Sequence, residues 1–221
     1  MKTHVWERSL ARYVVPDLPG SWSIVGGLLY REPSDWLLCY LSLHNWPWGT
    51  NFSVYLGVQL LAAPATSLRG PLGRELGHAN GKSFWPSPKT IKDAEPAMQE
   101  ILQQIHTDAL PFFDEVGNLP GYRIGAEERA RRQPDDVYFQ ETVFCLRLLD
   151  GDVDSAIRAA EATARAASRE DAPWAAEIAR WVTDAAQVAA QNRQEALNLL
   201  RRNADTTRTN LGLPMQRDAS A

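Results

Sequence analysis

The chain has 221 residues, 44% hydrophobic and 23% charged, with a formal net charge of −4. These proportions exclude a disordered or collagen-like chain and allow a sizeable core. The charge divides evenly, −2 in residues 1–118 and −2 in the remainder, so no long-range attraction to nucleic acid or anionic lipid is expected.

Residues Val5 to Val15 read as a short amphipathic helix ending at Pro16, with Val5, Leu10, Tyr13 and Val14 on one face. The segment is charged and has no continuous apolar run, so no secretory signal is expected. No apolar stretch approaches the ~20 residues a membrane span needs. A cytoplasmic location is therefore expected. Asp17 to Ser21 is a turn.

From Trp22 to Leu61 the apolar residues alternate, which is the period of strands. A first strand is expected over Trp22–Arg31, with Gly26-Gly27 as a bulge or a close backbone approach. A second runs from Trp36 to His44 and a third from Asn51 to Leu61. In the third, Phe52, Val54, Leu56, Val58 and Leu60 point one way. Short connections favour an antiparallel meander, and the aliphatic row demands a helical cover.

Residues 62–90 form a long Pro- and Gly-rich connection with a fourth short strand near Leu68–Leu76. Beyond it the period changes to three or four. A helix is expected over Asp93–Phe113, with Met98, Ile101, Leu102, Ile105, Ala109 and Phe112 as its stripe. A broken connection with a short helix at Gly125–Arg132 leads to helices at Asp136–Leu149, Asp154–Ala167, Pro173–Gln191 and Gln194 to about Thr207. The segment from Asp150 to Ile157 aligns with that from Ala190 to Leu197, a weak repeat that reads as two helical hairpins. The expected fold is thus α+β. A small antiparallel β-meander covered by helices fills residues 1–118, helical hairpins packed on it fill 119–213, and 214–221 form a flexible tail.

The candidate chemistry is sparse. Cys39 and Cys145 lie among apolar neighbours and read as buried thiols. None of His4, His44, His78 and His106 has a partner at metal-ligand spacing, so no metal and no cofactor are expected. Asp135, Asp136, Asp152, Asp154 and Asp171 stand where helices begin and read as caps. Hairpins would gather Asp135, Asp136, Glu170 and Asp171 at one end. The run Arg129, Arg131, Arg132 reads as a solvated face, with nucleic-acid contact as the lesser alternative. Trp174 and Trp181, seven apart, share a helix face as core or seam.

Two places suggest binding. Trp46 and Trp48 sit in a hairpin turn, where they either fold back or anchor a partner. Arg69, Arg74 and His78, with Lys82 and Trp85 nearby, collect cationic groups around flexible glycines, as in an anion-holding loop or a mere solvated connector.

The succession Trp22…Tyr30, Trp36…Leu43, Phe52 to Pro64, Gly73-Arg-Glu-Leu-Gly77 with Trp85, Ala109 to Phe113 and Leu148 to Asp152 resembles an uncharacterised family of bacterial cytoplasmic α+β proteins over about residues 20–160. The resemblance transfers no catalytic residue. Some similar small proteins accompany toxin genes as immunity factors. The leading expectation is a non-enzymatic protein-interaction module, immunity-like, that masks a partner such as a toxin through Trp46, Trp48 and the Arg69–Trp85 loop. The alternative is an enzyme that grips an anionic small molecule with Arg69 and Arg74 and uses His78 or His44 as acid/base. A subunit of a larger assembly is a third reading.

Overall fold

In a computed structural model the described residues are 1–45, 50–77 and 84–215. The chain divides into two compact units. The first comprises Met1–Gln59 and Leu72–Asn118; the second comprises Leu60–Pro71 and the chain from Leu119 on.

The first unit holds an antiparallel sheet of strands β1 (Ser21–Val25), β2 (Leu28–Glu32), β3 (Leu37–Asn45), β4 (Asn51–Leu60) and β5 (Leu72–Glu75) in that spatial order. A short β6 (Trp85–Pro86) pairs with β4. Where one strand is expected over Trp22–Arg31, the chain makes a hairpin instead. Gly26 and Gly27, at φ +55° and +84°, are its two-residue turn, with Val25 paired to Leu28. Two consecutive residues of positive φ twist in the sense that joins adjacent strands without splaying them, so a glycine pair serves as a turn rather than a bulge. The fourth strand is confined to the last part of the expected segment because β5 pairs with β4 only from Tyr55 to Val58.

The expected aliphatic row is dry: Phe52, Val54, Leu56 and Val58 are fully buried and Leu60 is 2% exposed. Burial of each such side chain contributes about 1.5–3 kcal/mol. Helix α1 (Thr3–Tyr13) adds Trp6 to this core. The Trp6 indole lies edge-on to Phe52 at 6.1 Å and donates to the Gly27 carbonyl at 2.9 Å. On the other face of the sheet, Tyr40 lies over Gly57 and Tyr55 over Gly73, where added Cβ atoms would come within 2.8 and 2.6 Å of the rings.

The expected helix over Asp93–Phe113 is α2 (Glu95–Gln104), one π-helical turn (Ile105–Ala109) and α3 (Leu110–Val116). Pro111 cannot donate to the Thr107 carbonyl and its ring crowds that carbonyl, so the ladder widens there. The wide turn rotates α3 about the helix axis. Phe113, not Phe112, completes the buried stripe of Met98, Ile101, Leu102, Ile105 and Ala109.

The second unit is helical: α4 (Leu119–Arg132), α5 (Val137–Asp150), α6 (Val153–Ala167), α7 (Pro173–Gln191) and α8 (Arg193–Asn210). Helix α4 occupies most of the expected broken connection, since Tyr122, Ala126 and Ala130 bury one face at four-residue spacing despite Gly121 and Gly125. The repeat is visible at the caps. Asp152 accepts from the Ser155 amide and Asn192, forty residues on, from the Glu195 amide, at 3.0 and 3.2 Å. Asp136 caps α5 in the same way. Asp135 and Asp171 are not caps: Asp135 pairs with Arg169, and the cap position of α7 is Ala172. Among the described residues no helix is long and apolar enough to cross a membrane.

Candidate binding cleft

The residues proposed from sequence separate into distinct roles. Trp46, Trp48 and His78 lie outside the described residues, as does Lys82. Trp85 is a core residue, 1% exposed, with its indole stacked on Phe52 at 5.8 Å and donating to Glu100 at 3.1 Å. His44 is exposed and its ring stacks on Tyr55 at 5.6 Å.

Arg69 and Arg74 belong to different units, and each already holds a carboxylate. Arg74 forks onto both oxygens of Asp108, one at 2.6 Å. That bond and the arginine's charge hold the Asp108 carboxyl below its ordinary value. Arg69 donates to Glu141 at 2.5 Å and to the Pro64 carbonyl at 2.6 Å, with its guanidinium 4.5 Å from the Tyr138 ring. Glu141 is fully buried and also accepts from the Trp181 indole at 2.7 Å. Burial pushes its carboxyl up; Arg69 and Trp181 counter that. The rest of segment Leu60–Pro71 is tied to α8. The Thr207 hydroxyl accepts from the Ala65 amide at 3.2 Å and donates to Ala63, and Asn210 donates to the Ala65 carbonyl at 3.0 Å. Arg69 is thus a structural cation of the helical unit.

Cys39 and Cys145 are free and buried, as expected. Burial pushes the Cys39 thiol up to about 11 and raises that of Cys145 as well, so neither is a ready thiolate.

Within the helical unit a cleft of about 630 Å³ lies between α4, α5 and the end of α6. Its construction is local. Helix α4 closes on a basic last turn, which suits the negative end of its dipole. Pro134 then turns the chain, and the Gln140 amide ties the corner by donating to the Ala130 and Pro134 carbonyls at 3.3 and 3.2 Å. Small side chains, Ala130, Ala162 and Ala166, leave the floor recessed. Four arginines line it: Arg131, Arg147, Arg165 and Arg169. Arg147 pairs with Glu127 at 2.6 Å, and Arg169 pairs with Asp135. Among the described residues no carboxylate pairs with Arg131 or Arg165. Four cations against two anions leave the cleft positive on a chain whose net charge is −4.

Comparison with the models of protein families, with curated proteins and with solved structures gives no match to this chain.

Sequence reasoning reached Arg131 as part of a charge run and missed Arg165, Arg169 and Arg147. They are scattered over α5, α6 and the turn after α6, and only the hairpin returns that turn to the corner after α4. The usable signal was the expectation that Asp135, Asp136, Glu170 and Asp171 share one end. Arg165 lies in the last turn of α6 and Arg169 just past its C-cap Ser168, at the same end.

Proposed function

We propose that the chain is a non-enzymatic protein-interaction module that masks a partner protein. The observation that supports it is the open, arginine-lined cleft of the helical unit, whose charged rim is solvent-accessible. Such rims govern encounter and specificity between proteins. The enzymatic reading loses support because the two arginines it recruits are already engaged, Arg69 by Glu141 and Arg74 by Asp108. The immunity-like form of the proposal, in which the partner is a toxin, rests on the sequence resemblance alone. The test is affinity capture with the tagged full-length chain from its host. A partner recovered at equal stoichiometry supports the proposal; repeated capture with no stoichiometric partner defeats it. Growth of cells expressing the recovered partner, rescued by co-expression of this chain, would identify inhibition as the purpose.

A further inference from the structure

The interaction reading leaves open what the cleft recognises. Resting on that reading, we infer that the cleft takes an extended acidic peptide segment of the partner, with Arg131 and Arg165 receiving its carboxylates.

Three observations lead there. First, the paired and unpaired arginines differ in state. Arg147 and Arg169 each form an ion pair with a carboxylate of the same unit, Glu127 and Asp135. Arg131 and Arg165 line the same cleft and are exposed, with no such carboxylate among the described residues. A guanidinium presents its donors in a planar fork that matches a carboxylate. The two unpaired forks are therefore what the cleft offers a ligand.

Second, the dimensions suit a short piece of extended chain. The lining residues on α5 run from Gln140 to Arg147, those on α6 from Ala162 to Ala166, and Arg169 follows in the turn after α6. At 1.5 Å per residue the α5 span is about 10 Å, the length of roughly three residues of extended peptide. In such a segment alternate side chains face one way. Carboxylates at alternate positions meet the arginines, and the backbone between them lies on the alanine floor.

Third, charge selects the class. Asp135 and Glu127 stand in the cleft beside the arginines. A polyphosphate backbone crossing it would meet these carboxylates, and the chain as a whole is negative. A peptide places its few charges selectively and avoids them, which a uniformly charged polymer cannot do.

The experiment is fluorescence anisotropy with the full-length chain and a labelled short peptide of alternating Glu and Ala. Controls are the isosteric Gln peptide and a labelled single-stranded RNA of similar length. The expected result is binding of the Glu peptide only, weakening from low to physiological ionic strength. Replacing both arginines, Arg131→Glu with Arg165→Glu, should weaken it by about tenfold or more, because two exposed ion pairs become repulsions. The milder pair Arg131→Gln with Arg165→Gln, checked for an unchanged thermal melt, covers failure of the first to fold. No binding of the Glu peptide, equal binding of the Gln peptide, preference for RNA, or undiminished binding by both variants overturns the inference. The two readings separate in the capture experiment. A stoichiometric partner recovered equally by wild type and variant keeps the interaction reading and removes this cleft from it; no partner with either removes the interaction reading.

Discussion

Glu141 has no exposure to solvent, and the whole arrangement around it serves to keep its charge tolerable. Removing one member of a buried ion pair leaves the other uncompensated, at a cost of about 3–5 kcal/mol. Arg69 is 24% exposed, so Arg69→Met should cost about 3 kcal/mol, near the lower end of that range, in chemical denaturation. The double variant Arg69→Met with Glu141→Leu should recover most of the loss, because no buried charge remains. The single variant's penalty should also shrink in acid. Without Arg69 the Glu141 carboxyl rises further above its unfolded value, so protonation on acidification relieves it. Asp108 behaves in the opposite sense. Its folded value is depressed by Arg74, so its contribution is full above the unfolded value of 3.8 and is lost as pH falls through the folded value. Asp108→Asn should therefore flatten the acid limb of the thermal stability profile and leave its slope at neutral pH unchanged.

At the level of elements, the hairpin turns carry the forty-residue repeat, and their caps can be tested separately. Asp152→Ala and Asn192→Ala should each lower the denaturation midpoint, because each removes the acceptor for the amide three residues on. Gly151, at φ +75°, ends α5 in the left-handed region, and a Cβ there would collide with the Arg193 guanidinium. Gly151→Ala should cost about 1–2 kcal/mol from the backbone alone, read from the denaturation midpoint. Much of this architecture is legible from period and punctuation: α7 has the bounds Pro173–Gln191 that its apolar spacing implies, and the row from Phe52 to Leu60 faces the core as its alternation requires. What is not legible has a physical cause in each case. The apolar alternation runs through Gly26-Gly27 without interruption, so the hairpin hides inside one apparent strand. The π turn before Pro111 changes the helical period by a single residue, and no residue-by-residue periodicity carries that information across it. Helix α4 contains Pro120, Gly121 and Gly125; packing of Tyr122, Ala126 and Ala130 overrides their low propensity.

For the molecule as a whole, the cleft was the least legible feature, because its arginines converge only after α4, α5 and α6 have packed. The cationic loop read from sequence dissolves in the opposite way: Arg69 and Arg74, five residues apart, serve different units. The twelve residues from Leu60 to Pro71 leave the sheet unit after Gln59 and return to it at Leu72. A scissors cut at Asn118 therefore cannot yield a self-sufficient helical piece. A fragment beginning at Leu119 would lack the arginine that neutralises its deepest acid and the backbone groups that Thr207 and Asn210 satisfy. Such a fragment should melt broadly and bind hydrophobic dye, whereas a circular permutant that keeps 60–71 joined to the helices should melt sharply. Evolutionary shuffling of the helices as a detachable cassette is closed to this protein for the same reason: they travel only with a strip of chain borrowed from between two strands.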